Sequence, residues 1–101
     1  MAEAHRLSAR LPEFERLALA DQIRRSAVSV PANIAEGNAR AHRREYLNFL
    51  SIARGSLMEL STHLEAARRV GYLSNEDVAP ATRLLDRVSR LLTALIASLA
   101  V

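Results

Sequence analysis

Three groupings of residues have types and spacings that could do chemistry. The first is basic. Arg40, His42, Arg43 and Arg44 are clustered, with Arg24, Arg25 and Arg54 nearby in sequence. Between Asp21 and Arg54 six arginines stand against Asp21, Glu36 and Glu45, a local charge of +3. Guanidinium groups fork onto carboxylate or phosphate, and a loop leading into a helix adds backbone N–H donors for an anion. Arg24, Arg40, Arg43, Arg44 and Arg54 are therefore the candidate nucleic-acid contacts. A solvated loop whose arginines pair with neighbouring acids explains the same pattern. Base stacking is not expected, because Phe14, Tyr46 and Phe49 read as core residues.

The second grouping is a polar row. Gln22, Arg25, Ser29, Asn33 and Glu36 follow a 3-4-4-3 spacing, which places them on one face of a helix. A later stretch has a comparable row of Ile52, Gly55 or Ser56, Glu59 and His63, in which Gly55 and Ser56 are small enough for another helix to approach. Opposite charges and amides in one row can satisfy each other where the row is partly buried. Gln22, Arg25, Ser29, Asn33, Glu36 and Glu59 are thus candidates for a structural or interfacial polar seam; the alternative is an ordinary solvated face.

The third grouping is catalytic or metal-binding in type, and it is too sparse to act. Di-iron bundles use paired Glu-x-x-His motifs on facing helices. Here Glu59 and His63 are four apart, His42 and Glu45 run in the reverse order, and His5 stands alone. The three glycines are not clustered into a phosphate loop, Ser29 and Ser56 have no base at triad spacing, and cysteine is absent. The expectation is no enzyme, no catalytic or metal residues and no cofactor.

These residues must be positioned by helices. Of 101 residues, 18 are Ala and 16 are Leu, about a third of the chain in two strong helix formers. The length suits one domain spanning 1–101. All 14 basic residues are arginine, which a biased genome would also produce, and the net charge is +3. Charges interrupt the first ten residues as no secretory leader would allow, and the longest uncharged run, Leu91 to Val101, falls short of the ~20 residues of a membrane span. A soluble cytoplasmic protein without a membrane partner is expected.

Four helical stretches follow from the punctuation. Ala2 to Arg10 is short and weakly patterned, and Pro12 and Glu13 open a second stretch, about Glu13 to Glu36, for which Gly37-Asn38 is the stop signal. In it Leu19, Ile23, Ala27, Val30 and Ile34 form the apolar face, with Pro31 predicting a kink. The third, near 42–70, carries Tyr46, Leu50, Ala53, Leu57, Leu60, Leu64 and Ala67 at alternating 4-3 spacing and ends at Gly71. The fourth, near 76–99, follows a serine cap at Ser74 and carries Leu84, Leu85, Val88, Leu91, Leu92, Leu95, Ile96 and Leu99. Pro80 suggests that its regular part begins near Asp77 or Val78. Short connections between long amphipathic helices predict an all-α, antiparallel up-down four-helix bundle with a short first helix. Three good helices and a stub leave a groove that a homo-oligomer would cover.

The run from Gln22 to Gly37, QIRRSAVSVPANIAEG, resembles the signature of bacterial four-helix-bundle proteins. These are the proteins encoded within intervening sequences of 23S ribosomal RNA genes and the accessory variability determinants of diversity-generating retroelements. The resemblance continues through Arg40, the run Glu45 to Leu60, Leu64 and the Gly71-Tyr72-Leu73 turn. It implies a four-helix protomer in a ring-like homopentamer with no known enzymatic activity. For the retroelement branch it also implies nucleic-acid binding beside a reverse transcriptase. This chain departs from the pattern in its shorter opening helix and in having no lysine. Two functions stay open. One is a pentameric accessory protein that binds RNA or DNA; the other is an oligomeric scaffold acting only through protein partners.

Overall fold

A computed structural model describes residues 13–100. Three helices account for nearly all of them: α1 (Glu13–Asn38), α2 (Arg43–Arg69) and α3 (Asn75–Leu99), with no strand among the described residues. The short first helix expected at Ala2 to Arg10 lies outside the described residues. The all-α reading and the three long helices agree with the sequence; the fourth helix and the ring are not part of what is described.

α2 is the central element. It packs against both α1 and α3, whose backbones do not approach each other. Ser29 meets Ser56 and Gly37 meets Phe49, so α1 and α2 run antiparallel. Arg68 reaches Asn75 while Leu57 and Met58 share a cleft with Leu85 and Ser89, so α2 and α3 do too. The core centres on Leu50 and Ala53, both fully buried, with Val30, Leu57 and Leu92 around them. The body measures 54 × 23 × 15 Å, so it is thin in one direction. That thinness leaves Phe14, Leu17, Val28, Ile52, Met58, Leu84 and Leu91 more than half exposed.

Several expectations need correction. Phe14 is not core but 68% exposed. Ala27, Leu84 and Leu91 belong to apolar rows yet face outward, because no helix covers that side of α1 or α3 among the described residues. α1 ends at Asn38, at the expected Gly37-Asn38 stop, but Gly37 is not a left-handed cap, because among the described residues only Gly71 has a positive φ. Gly37 is buried instead where α2 crosses, a packing role rather than a conformational one. Gly55 faces open space, so no helix among the described residues uses its smallness.

The helix ends follow local chemistry. Gly71, with φ of 87°, closes α2. The Tyr72 N–H bonds the Ala67 carbonyl at 2.9 Å and the Gly71 N–H bonds the Arg68 carbonyl at 3.1 Å, a Schellman closure. Ser74 caps α3 reciprocally: the Asp77 N–H donates to Ser74 Oγ at 3.0 Å and the Ser74 N–H to Asp77 Oδ2 at 2.8 Å. This cap starts α3 at Asn75 despite Pro80. Pro80 and Glu76, whose carbonyl loses its partner, are both exposed, so water can satisfy that carbonyl. Pro31 and Ala27 are placed the same way, and α1 is continuous through them.

Candidate functional site

The two polar rows face each other. Gln22, Arg25, Ser26 and Ser29 from α1 and Ser56, Glu59 and His63 from α2 line one open groove of about 430 Å³. The antiparallel pairing of the helices brings the rows together at Ser29 and Ser56.

The buried part of the seam is small and uncharged. Ser29 Oγ and Ser56 Oγ are 2.7 Å apart, and Ser56 is 8% exposed. The Asn33 side-chain amide donates to both the Ser29 carbonyl, at 2.8 Å, and Ser29 Oγ, at 2.9 Å. With Ser29 Oγ accepting from Asn33, its own hydrogen can go to Ser56. Buried Ser26 donates back to the Gln22 carbonyl at 2.8 Å. No buried side-chain nitrogen or oxygen among the described residues lacks a partner.

The charged members lie on the rim. Arg25 Nε pairs with Asp21 at 2.8 Å along α1 and is 80% exposed. Glu36 pairs with Arg40, four residues on. Glu59 is exposed and His63 half-buried at the groove edge. Sequence spacing put Gln22, Arg25, Ser29, Asn33 and Glu36 on one face of α1 and Glu59 in a comparable row on α2; Gln22, Arg25, Ser29 and Glu59 line the groove, and Asn33 and Glu36 lie outside its lining. Ser26 was missed as a lining residue, although its four-residue spacing to Gln22 was available in the sequence.

The groove offers no nucleophile paired to a base. Ser56 is bonded to Ser29, and His63 lies seven residues along α2, about 10 Å of helix rise and beyond hydrogen-bond reach. No group of three or more His, Asp or Glu is placed to hold a metal ion among the described residues. No described helix is long and apolar enough to cross a membrane.

The arginine candidates divide. Arg40, Arg43 and Arg44 come together at the α1–α2 connection, where His42 is the extended residue before α2. Arg40 is partly committed to structure, since it pairs with Glu36 and its guanidinium stacks 5.1 Å from the Phe49 ring centroid. Arg44 is exposed and makes no ion pair among the described residues. Arg24 and Arg54 are set apart. Arg24 lies 16 residues before Arg40 on α1, about 24 Å of rise, and Arg54 lies 10 residues after Arg44 on α2, about 15 Å.

At the opposite end Glu65 accepts from Arg68 at 2.6 Å and from Arg69 at 2.9 Å. Arg68 also reaches Asn75 Oδ1 at 3.2 Å, tying α2 to the start of α3. Hydrogen bonds first from Arg68 and then from Arg69 hold the Glu65 carboxyl at about 2, below its ordinary 4.5, and Glu65 in turn raises Arg68.

Compared with known families, residues 1–94 match the model of the 23S rRNA-intervening sequence proteins. No curated protein matches the chain.

Proposed function

The chain belongs to the 23S rRNA-intervening sequence protein family, and from that premise we propose that it is a non-enzymatic protein that works as a homo-oligomer, a pentameric four-helix-bundle ring. One observation carries the reading. A body 15 Å thin leaves large apolar side chains exposed on all three helices, Phe14, Leu17 and Val28 on α1, Ile52 and Met58 on α2, Leu84 and Leu91 on α3. Isolated exposed leucines are ordinary, but that many on 88 described residues favour a covering partner. The number five comes from the resemblance of the Gln22–Gly37 signature alone. Light scattering tests both parts. A mass five times 11.1 kDa supports the pentamer, another multiple rejects the number, and 11.1 kDa at micromolar concentration rejects the oligomer.

A second reading adds a nucleic-acid backbone as partner, and a specific observation favours it. Arg40, Arg43 and Arg44 share one end of the molecule, and Arg44 is exposed without an ion pair among the described residues. Repeated around a ring, such an end would hold phosphates independently of sequence. Retention on a duplex column that falls steeply with salt supports this reading, and no retention at low salt leaves the scaffold acting through proteins.

A further inference from the structure

α3 carries a heptad repeat that the core uses on one side only. Arg83-Leu84-Leu85 returns seven residues later as Arg90-Leu91-Leu92. Leu85 and Leu92 pack in the core, while Leu84 and Leu91 face outward, 57% and 65% exposed. The two outward leucines stand about 10 Å apart along the helix, with Arg87 between them and Arg83 and Arg90 beside them. Arg83, Asp86, Arg87, Arg90 and Leu91 frame an open trough of about 440 Å³ on this face.

Three arginines stand here against one acid. Asp86 is taken by Arg90 at 2.7 Å, and Arg83 and Arg87 make no ion pair among the described residues. The layout is that of half a coiled coil, an apolar position every seventh residue flanked by charges that choose the partner. Its complement is a helix with apolar residues in the same register and carboxylates beside them. The described helices of a second copy do not supply it. Between Phe14 and Val28, α1 holds Arg16, Arg24 and Arg25 against Glu15 and Asp21, a net +1. α2 holds five arginines against Glu45, Glu59 and Glu65, a net +2. Pairing two α3 repeats leucine on leucine brings arginine against arginine. A phosphate backbone would answer the arginines, but it would leave Leu84 and Leu91 without a contact and meet the Asp86 carboxylate in the trough.

We propose that the outward face of α3 binds an acidic amphipathic helix of another protein. Leu84 and Leu91 seat its apolar line, and Arg83, Arg87 and Arg90 pair with its carboxylates. The site lies on a different helix from Arg40, Arg43 and Arg44 and does not depend on the ring. The homo-oligomer is left the exposed apolar residues of α1 and α2.

Synthetic peptides test this on the full chain. The probe is a three-heptad helix with Leu at its two seam positions and Glu beside them, and its control carries Lys in place of Glu. By fluorescence anisotropy the acidic peptide should bind at micromolar concentration and the Lys peptide about tenfold or more weaker. Arg87→Glu should weaken the acidic peptide by about tenfold or more and strengthen the Lys peptide. The double variant Leu84→Gln/Leu91→Gln should stay helical by circular dichroism and lose the acidic peptide, with its light-scattering mass and its retention on duplex DNA unchanged. No binding of the acidic peptide up to millimolar concentration, or equal binding of the two peptides, overturns the proposal. Binding that ignores the leucines, with duplex retention lost in Arg87→Glu, assigns the face to a polyanion and overturns it as well. A lower mass in the leucine variant assigns Leu84 and Leu91 to a contact between copies, which overturns this proposal and supports the homo-oligomer. A monomeric wild type that binds the acidic peptide and loses it with the leucines supports this proposal and overturns the homo-oligomer.

Discussion

Gly37 of α1 lies so close to Phe49 of α2 that a β-carbon added to it would stand 2.7 Å from Phe49 Cβ and 3.0 Å from the Tyr46 ring. Phe49 Cβ is anchored to its backbone and cannot swing aside as a side-chain tip could. An alanine here gains about 1 kcal/mol of helix propensity but forces the helices apart, and overpacking typically costs ~1–3 kcal/mol. Gly37→Ala should therefore lower Tm. Gly55 supplies the internal control, because nothing lies within 4 Å of its would-be β-carbon. Gly55→Ala should raise stability by about 0.5–1 kcal/mol through propensity alone. Thermal melts of the two variants moving in the same direction would contradict this account.

The pair of glycines also shows how far the sequence could be read. A glycine after an apolar run signals a helix stop, and Gly71 obeys with a positive φ. Gly37 has the same local context, but the feature that determines it is Phe49, twelve residues away and on another helix. The α2 row from Leu50 to Ala67 was legible because α2 is buried between two neighbours, so its period matches its burial. Phe14 was misread as core, and Leu84 and Leu91 share the apolar row of α3 yet stay exposed, for the converse reason. Periodicity identifies an apolar face, not whether another helix covers it. The polar seam was visible as two spacings, while the split into a Ser29–Ser56–Asn33 interior and a charged rim depends on helix separation, which spacing does not encode.

The Ser29–Ser56 bond should be measurable as a coupling. Replacing either serine with Ala leaves the other hydroxyl short of a partner beside a half-buried amide, at a cost of about 1–2 kcal/mol. Replacing both removes donor and acceptor together, so the double variant should lose less than the sum of the singles. Denaturant melts of the four proteins give the cycle. Strict additivity would mean that the 2.7 Å approach contributes no energy.

Glu36→Ala separates stability from assembly. The Glu36–Arg40 pair is solvent-exposed and one helical turn long, a class worth under ~1 kcal/mol. The melting curve of dilute protein should barely move. If Glu36 is instead interfacial, as its place in the row with Arg25 and Asn33 suggests, the loss should appear as weaker assembly, read by light scattering across a dilution series.

Acid should remove one stabilising contribution in a defined window. Glu65 is held at about 2 in the folded chain against an ordinary 4.5, so its ion pairs with Arg68 and Arg69 contribute fully above pH 4.5. That contribution fades as pH falls from 4.5 towards 2, because the folded state resists the proton that the unfolded state accepts. Glu65→Gln should flatten Tm against pH in this interval and leave the profile above it parallel to wild type. Because the groups are partly exposed, high salt should shrink the difference between the two proteins.

The arginine end makes the sharpest claim about a partner. Five copies of a +3 chain give a formal +15, so a ring could hold a phosphate backbone that a single copy could not. Arg44→Ala is the cleanest probe, because Arg44 makes no ion pair among the described residues, whereas Arg40→Ala would also release Glu36 and unstack from Phe49. Binding to duplex DNA should weaken equally for unrelated sequences, and the slope of log K against log salt should become shallower by about 0.9 for each phosphate that is no longer neutralised. Replacing Arg40, Arg43 and Arg44 together should remove most of the salt dependence while light scattering still reports the wild-type assembly. A gel-shift titration at low salt with no complex at micromolar protein would reject phosphate binding at this end. If binding survives with its slope unchanged after all three replacements, the phosphates sit elsewhere, and the arginines of α3 become the next surface to test.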